Sequence, residues 1–213
     1  MKLKKNEKTI KLNKIVPEYN SSFFLVRNLF WDRIKYSILL GKIDYNKKIL
    51  DIGCGAGHLI NEIRKKNKKC EITGIDFNIN VNKLSLEKCI IKIEDITKLS
   101  SKDNSFDIVY ALDTLEHIKD IKIAIKQIKR VLKPNGKLII SGPTESFFYK
   151  LSRFLIKGTF SEKKGPGTGV HYHTIDSLNK ELIKHNFFME TKINLPKYFP
   201  LIIEKVIKYN NIK

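Results

Sequence analysis

The sequence predicts one doubly wound α/β domain, in which a mostly parallel sheet of six or seven strands carries helices on both faces. Short apolar runs alternate along the chain with amphipathic segments, which is the pattern of consecutive βαβ units. One of these runs leads directly into a glycine-rich turn and then a helical segment, the junction at which such sheets bind ligands. A chain of 213 residues suits one hydrophobic core rather than two.

The predicted elements begin after a polar, lysine-rich tail at residues 1–16 that has no periodic apolar face. Residues 21–40 repeat apolar side chains at helical spacing and predict the first helix, with Gly41 as its stop. A later helical stripe covers residues 121–132 and ends in a Lys-Pro-Asn-Gly turn at 133–136. Strands are predicted near residues 48–52, 71–75, 89–93, 106–111, 137–141 and 187–193.

The charge of the chain is strongly positive, at +19 with a pI near 9.7. Nucleic acid, an anionic membrane and a lysine-rich solvated surface are three interpretations of such a charge. Lysines occur along the whole chain, whereas bidentate recognition of bases and phosphates is chiefly a property of arginine. The five arginines are Arg27, Arg33, Arg64, Arg130 and Arg153. We therefore interpret the charge as a solvated surface and do not expect nucleic acid as the partner.

The number and spacing of the cysteines and the length of the apolar stretches indicate the cellular compartment of the protein. Cys54, Cys70 and Cys89 are odd in number, and none belongs to a C-x-x-C pair, which argues against a disulfide framework or a zinc site. No stretch approaches the roughly 18 apolar residues of a membrane span. The N-terminal residues lack the apolar block of a signal peptide. We therefore expect a cytoplasmic protein.

The first predicted strand runs into three glycines, Gly53, Gly55 and Gly57, that precede a helix. Glycines in such a turn let the backbone bend tightly and approach a ligand that side chains would exclude. A dinucleotide fingerprint would place its third glycine at position 58, where this chain has His58, so NAD is disfavoured. Cys54 has no activating neighbour in the sequence, and we interpret it as a small apolar filler.

Five ordered motifs carry a resemblance to a known enzyme family. They are Ile49 to His58, Gly74-Ile75-Asp76, Glu94-Asp95-Ile96, Ala111 to His117, and Arg130 to Ser141. Their order and spacing resemble the class I S-adenosylmethionine-dependent methyltransferases, especially the branch that contains ubiquinone- and menaquinone-biosynthesis enzymes. The resemblance is close over about residues 47–141 and extends in outline over roughly 17–200. Asn135 stands where the family usually has glycine, and asparagine tolerates the positive φ of that turn.

The resemblance implies a Rossmann-like fold, S-adenosylmethionine as the cofactor, and a seventh, antiparallel strand at about 201–207, for which a helix is the alternative. It places Asp51 near the amino group of the cofactor, Asp76 on the ribose hydroxyls and Asp95 on the adenine amino group. The complete set of cofactor-binding residues expected on this basis is Asp51, Gly53, Cys54, Gly55, Gly57, Asp76, Phe77, Asp95, Ile96, Ala111 and Leu112.

Three histidines are the candidates for a general base. His117 follows the fourth predicted strand, on the ligand side of the sheet, with a structural hydrogen bond as its alternative role. His171 and His173 precede Thr174, a predicted helix N-cap. Because two histidines at i, i+2 lack a third ligand, they predict a loop that closes over substrate and no metal site. That loop would belong to a cap or lid at about 145–173, within the methyltransferase domain at 17–213.

The acceptor is predicted less directly than the cofactor. Enzymes that methylate exocyclic amines of bases resemble one another in an Asn/Asp-Pro-Pro-aromatic segment, whereas this chain has Ala111-Leu112-Asp113-Thr114. We therefore expect methyl transfer to an oxygen or carbon of a small-molecule or lipid-like acceptor. An RNA or protein methyltransferase and a non-catalytic subunit are the alternatives. Residues 146–157 predict a basic amphipathic helix, which either caps the sheet or contacts lipid at an anionic membrane.

Overall fold

The computed structural model describes residues 19, 21–22, 24–77, 89–144, 146–147, 149–150, 154, 170–197 and 202–212. The predicted tail at 1–16 lies outside these residues, and so does most of the predicted cap at 145–173 with its amphipathic helix.

Seven strands form one sheet in the order β3-β2-β1-β4-β5-β7-β6. The strands are β1 (Lys48–Ile52), β2 (Glu71–Asp76), β3 (Cys89–Ile93), β4 (Phe106–Leu112), β5 (Leu132–Pro143), β6 (Phe187–Leu195) and β7 (Glu204–Asn211). The first five pair in parallel, and β7 runs antiparallel to both of its neighbours. The predicted mostly parallel, doubly wound sheet is therefore confirmed, with seven strands rather than six.

The described helices lie at the predicted places, the first before β1 and the others between strands. In the described part of the chain they are α1 (Phe24–Gly41), α2 (His58–Lys66), α3 (Ile121–Val131) and α4 (Ile175–Lys184), with 3-10 turns at Ile96–Lys98 and Leu115–His117. α4 begins with the predicted N-cap: Thr174 and Ser177 each accept a hydrogen bond from the other's backbone N–H, which closes a capping box. None of the described helices is both long and apolar enough to cross a membrane.

Two hydrophobic clusters cover the two faces of the sheet. Successive residues of β1 alternate between them: Leu50 and Ile52 belong to the cluster that includes α3 and α4, whereas Ile49 belongs to the cluster that includes α1 and α2. Because both faces are covered, the central strands are apolar at consecutive positions rather than at alternate ones. This explains why the parallel strands could be located from short continuous apolar runs.

β5 begins at Leu132, not near residue 137 as predicted. Leu132 pairs with Phe106 and Lys137 pairs with Ile108, so the four residues between them bulge out of the ladder. Asn135 has φ 58° within this bulge, the conformation that the sequence predicted it to tolerate. The predicted turn is thus present, but it interrupts a strand that has already begun.

The C-terminal segment forms the strand β7 at Glu204–Asn211, later than the predicted residues 201–207, and the alternative of a helix is wrong. Its antiparallel register sets Ile207 opposite Ile140 and Tyr209 opposite Leu138, and all four side chains are buried. All four belong to the cluster that includes α3 and α4. Their burial fixes this register, because a shift by one residue would turn the side chains of β7 to the opposite face.

Candidate functional site

The loops that follow β1 to β4 meet at one edge of the sheet, since the carboxyl ends of parallel strands lie together. The start of the antiparallel β7 reaches the same edge, because Glu204 pairs with Pro143 at the end of β5. This carboxyl edge has two halves. We call the part beyond β1, β2 and β3 the cofactor half, and the part beyond β4, β5 and β7 the acceptor half.

The glycine turn shapes the cofactor half through its backbone. Gly53, Gly55 and Gly57 have φ values of 71°, 47° and 72°, a region that other residues rarely adopt. A Cβ at Gly53 would overlap the hydroxyl of Thr114, whereas a Cβ at Gly55 would meet nothing nearer than 4.0 Å. The turn therefore leaves a cradle beside Gly55 while Gly53 lies tightly against the loop after β4.

Asp51 lies beneath this turn with a carboxylate that is 3% exposed. Its Oδ2 has no hydrogen-bond partner. Burial, and secondarily the nearby carboxylate of Asp76, raise the pKa of Asp51 to about 8. A buried carboxylate with an unused acceptor atom suits a cationic group, so Asp51 fits the amino group of S-adenosylmethionine.

Asp76 and Phe77 form the wall at the end of β2. The Oδ2 of Asp76 accepts a hydrogen bond from the backbone N–H of Gly55 at 2.8 Å, which ties the acid to the glycine turn. The side chain of Phe77 is 83% exposed beside it. A carboxylate with further acceptor capacity beside an exposed ring is suited to a nucleoside, which presents hydroxyls and a flat base.

The other expected cofactor residues differ in how far their side chains are buried. Asp95 is exposed and accepts hydrogen bonds from the N–H and hydroxyl of Thr97 at 2.8 Å, so it caps the 3-10 turn with one oxygen. The side chains of Ile96 and Ala111 are buried in the hydrophobic cluster, which leaves their backbone for any cofactor contact. Leu112 is half-buried. Cys54 is buried, and burial raises the pKa of its thiol, as expected of a filler.

In the acceptor half, two of the three candidate histidines lie together. The ring centroids of His117 and His171 are 4.8 Å apart, and the ring planes are inclined at 63° in an edge-to-face arrangement. The Nδ1 of His117 lies 3.1 Å from the carbonyl oxygen of Val170, so a proton on Nδ1 leaves Nε2 as the basic atom. Burial lowers the pKa of His117 and favours the neutral ring.

Glu116 joins these histidines to the loop before α4. Its carbonyl oxygen accepts hydrogen bonds from the N–H of Tyr172 at 2.7 Å and of His173 at 3.4 Å. Its side chain is 1% exposed, Oε2 has no hydrogen-bond partner, and burial raises the pKa of the carboxyl to about 7. These hydrogen bonds attach the loop before α4 to Glu116, and the ring of His171 lies beside that of His117.

The buried ion pairs of Arg33 were not predicted from the sequence. Arg33 of α1 is buried and forms an ion pair with Asp113, lies 3.6 Å from Glu204, and donates to the hydroxyl of Tyr19 at 2.7 Å. Ser141 donates to the other oxygen of Asp113 at 2.7 Å. The one available signal was an arginine within the apolar stripe of the first helix. Its partners lie far away in sequence and could not be inferred from it.

Comparison with known proteins shows the family of this chain. A family model described as Methyltransferase domain matches residues 27–192, more than half of the chain. Phosphoethanolamine N-methyltransferase 3 of Arabidopsis thaliana is 35% identical over 102 residues, which cover 45% of this chain and 21% of that protein. A ubiquinone biosynthesis O-methyltransferase of Bradyrhizobium diazoefficiens is 32% identical over 101 residues, 44% of this chain and 39% of that protein. The chain therefore spans well under half the length of these curated relatives.

A solved structure matches over a larger share. The structure of a SAM-dependent methyltransferase from Methanosarcina mazei is 26% identical, has a TM-score of 0.62, and covers 82% of this chain and 97% of that one. The expected resemblance to class I methyltransferases is confirmed, with ubiquinone-biosynthesis enzymes among the relatives. The chain belongs to the methyltransferase-domain family, and its cofactor is S-adenosylmethionine.

Proposed function

We propose that this protein transfers the methyl group of S-adenosylmethionine to an oxygen or carbon of a small-molecule or lipid-like acceptor. The observation that carries the proposal is the unpartnered, buried Oδ2 of Asp51 beneath a glycine cradle. A buried acid without a partner destabilises the protein, and a cationic ligand accounts for its presence. Asp51 would hold the cofactor's amino group, Asp76 its ribose, and Asp95 its adenine, with Phe77 against the base.

Catalysis would come mainly from alignment. The acceptor nucleophile attacks the sulfonium-bound methyl in line, the carbon–sulfur bond breaks, and S-adenosylhomocysteine leaves. The protein must hold two bound molecules at the carboxyl edge, one in each half. A hydroxyl or weakly acidic carbon must also lose a proton, and His117 is the first candidate because its Nε2 is the basic atom of a neutral ring. His171 follows, since its ring lies beside that of His117, and His173 is the last candidate.

The cofactor assignment is tested by calorimetric titration of S-adenosylmethionine and NAD into the wild type and Asp76→Ala. We expect binding of S-adenosylmethionine only, and an affinity at least roughly tenfold weaker in Asp76→Ala because the acceptor for the ribose hydroxyls is gone. Asp120→Ala is a matched control, since Asp120 is an exposed acid at the start of α3 that forms no side-chain cap hydrogen bond. Equal affinity of wild type and Asp76→Ala would contradict the assignment.

The acceptor class is tested by S-adenosylhomocysteine release in the presence of phenolic and lipid-like acceptors, RNA and protein. We expect turnover with the first two groups. Turnover with RNA or protein alone would favour that alternative. Tight cofactor binding without turnover on any of them would favour a non-catalytic subunit.

We further propose a cytoplasmic protein that contacts anionic membranes peripherally. The chain has a net charge of +19, and two aromatic side chains within the predicted cap are exposed, Phe147 at 71% and Phe154 at 41%. Lysines would attract an anionic surface and the aromatic rings would enter it. Sedimentation with phosphatidylserine vesicles at low salt tests this, with phosphatidylcholine vesicles as the control. Equal recovery in both pellets, or no binding to either, would contradict it.

A further inference from the structure

A compact set of metal-ligating side chains lies in the acceptor half. One ligand atom from each of Glu116, His117 and His171 can be chosen so that all three lie within 4.8 Å of one another. Among the described residues this is the group of histidine, cysteine and acidic side chains that comes this close. From the sequence, His171 and His173 at i, i+2 predict no metal site, whereas the fold places His171 beside His117.

The carboxylate of this group is not explained by packing. Glu116 is 1% exposed, and its Oε2 has no hydrogen-bond partner. Leaving such an oxygen buried and unused destabilises the folded protein. The guanidinium of Arg33 does not remove this cost, since it forms its ion pair with Asp113 and lies near a second acid, Glu204.

His117 is oriented as a metal-binding histidine is. The Nδ1 of His117 lies 3.1 Å from the Val170 carbonyl, and this second hydrogen bond fixes the tautomer and leaves Nε2 for a cation. His171 lies between Val170 and Tyr172, and the N–H of Tyr172 donates to the Glu116 carbonyl at 2.7 Å. The segment that brings in the third ligand is therefore attached to the first.

We propose that Glu116, His117 and His171 bind a divalent transition-metal ion such as Zn²⁺, with water or an acceptor oxygen in the remaining position. Two imidazoles and one carboxylate form a familiar ligand set for a zinc ion with an open position. Ligand atoms around such an ion lie about 3.3 Å apart when the bonds are about 2.0–2.1 Å. The three ligand atoms would therefore have to approach one another by about one to two ångströms. Rotation of the side chains about their χ angles can supply a movement of this size.

The position of the ion would matter for the chemistry. A bound cation would offset the excess of acidic groups here, where Asp113, Glu116 and Glu204 all interact with the buried guanidinium of Arg33. It would also lower the pKa of a coordinated hydroxyl, which is the proton-removal role considered above for His117. Metal binding itself does not depend on methyl transfer, so the two proposals can fail separately.

The test is titration of Co²⁺ into metal-stripped, tag-free full-length protein, followed by visible absorption and by competition with Zn²⁺. We expect one Co²⁺ per chain with the spectrum of a low-coordinate site. His117→Ala and His171→Ala should each weaken binding by roughly 100-fold or more, and Glu116→Gln should weaken it while preserving the shape of the buried side chain. His173→Ala and His185→Ala should retain wild-type affinity, because neither residue belongs to the group.

Absence of a stoichiometric Co²⁺ spectrum in the wild type would overturn the proposal. So would equal affinity in the wild type and the His117→Ala/His171→Ala double variant, because the metal would then be bound elsewhere. Thermal unfolding and S-adenosylmethionine titration of each variant show whether it is folded. A variant that loses the metal but keeps its cofactor affinity would support the site. If the histidine variants lose both, the loss is assigned to misfolding, and Glu116→Gln then decides. The proposal is overturned unless Glu116→Gln loses the metal and keeps its cofactor affinity.

Discussion

The two halves of the carboxyl edge are built from different kinds of chain segment. The cofactor half is assembled from short loops. Its key features are the backbone conformation of the glycine turn, as at Gly53, and single acids at strand ends, Asp51 and Asp76. The acceptor half is assembled from side chains that are distant in sequence: Arg33 of α1, Glu116 after β4, and Glu204 of β7. The features of the cofactor half are therefore marked by local sequence motifs, whereas the acceptor half depends on contacts that only the tertiary structure makes.

This difference suggests that the halves respond differently to mutation. Changes in the cofactor half should alter ligand affinity, because the fold is complete without the ligand. Changes in the acceptor half should alter stability first, because its charges are compensated only by one another.

The largest expected effect is in the acceptor half. Arg33→Met should lower the free energy of unfolding by about 3–5 kcal/mol, because it leaves buried acids without their cation. Arg27→Met is the control on the same helix, since Arg27 is exposed and should change stability by less than about 0.5 kcal/mol. Urea denaturation measures both. Equal stabilities of the two variants would remove the distinction between the halves.

A pair of glycine variants sharpens the comparison within the cofactor half. Gly53→Ala should weaken S-adenosylmethionine binding by about 3 kcal/mol, through strain at φ 71° and overlap with Thr114. Gly55→Ala should lose at least about 1–2 kcal/mol from backbone strain at φ 47°, and more if its Cβ meets the cofactor in the cradle, which is open in the ligand-free protein. Calorimetric titration measures the difference. A larger loss for Gly55→Ala would show that the cofactor itself fills that space.

Asp51→Asn tests the buried acid through pH. The pKa of Asp51 is about 8 in the folded protein against an ordinary value of 3.8, so between these values the folded protein keeps a proton that the unfolded chain has released. Its contribution to stability therefore falls as pH rises through this window, and Asp51→Asn should remove that part of the pH dependence. The variant should also lose roughly 1.5–3 kcal/mol of cofactor affinity.

Two readouts complete that experiment. Thermal unfolding of the ligand-free protein from pH 5 to pH 9 follows the stability, and titration in buffers of different ionisation enthalpy counts the proton released when the cofactor cation binds. Identical pH profiles for wild type and Asp51→Asn would rule out the raised pKa.

The smallest expected effect concerns the loop that carries His171. Thr174→Ala removes the N-cap of α4 and should lower the free energy of unfolding by about 1 kcal/mol. Combined with Ser177→Ala in a double-mutant cycle, it should show coupling, because the two side chains form one capping box. Cofactor affinity should not change. A change in cofactor affinity would mean that the two halves are linked through this loop.

Much of the fold followed from local patterns. The strands β1 to β4 begin and end within a residue or so of their predicted positions, because burial on both faces produces short continuous apolar runs. The boundaries of β5 and β7 were misplaced, because a bulge around Asn135 and an antiparallel register depend on partner strands. In the site, Asp51, Asp76 and the glycines were identified because each lies at a strand end within a compact motif.

The sequence by itself determined the doubly wound sheet, the glycine turn and the acids of the cofactor half, because each is marked by a pattern of residues within a few positions of one another. Tertiary structure alone decided that His171 meets His117, that Glu116 is buried without a partner, and that Arg33 neutralises Asp113. Those contacts join segments that are 54 to 80 positions apart, and the energy of a buried charge depends on every neighbour that the fold places around it.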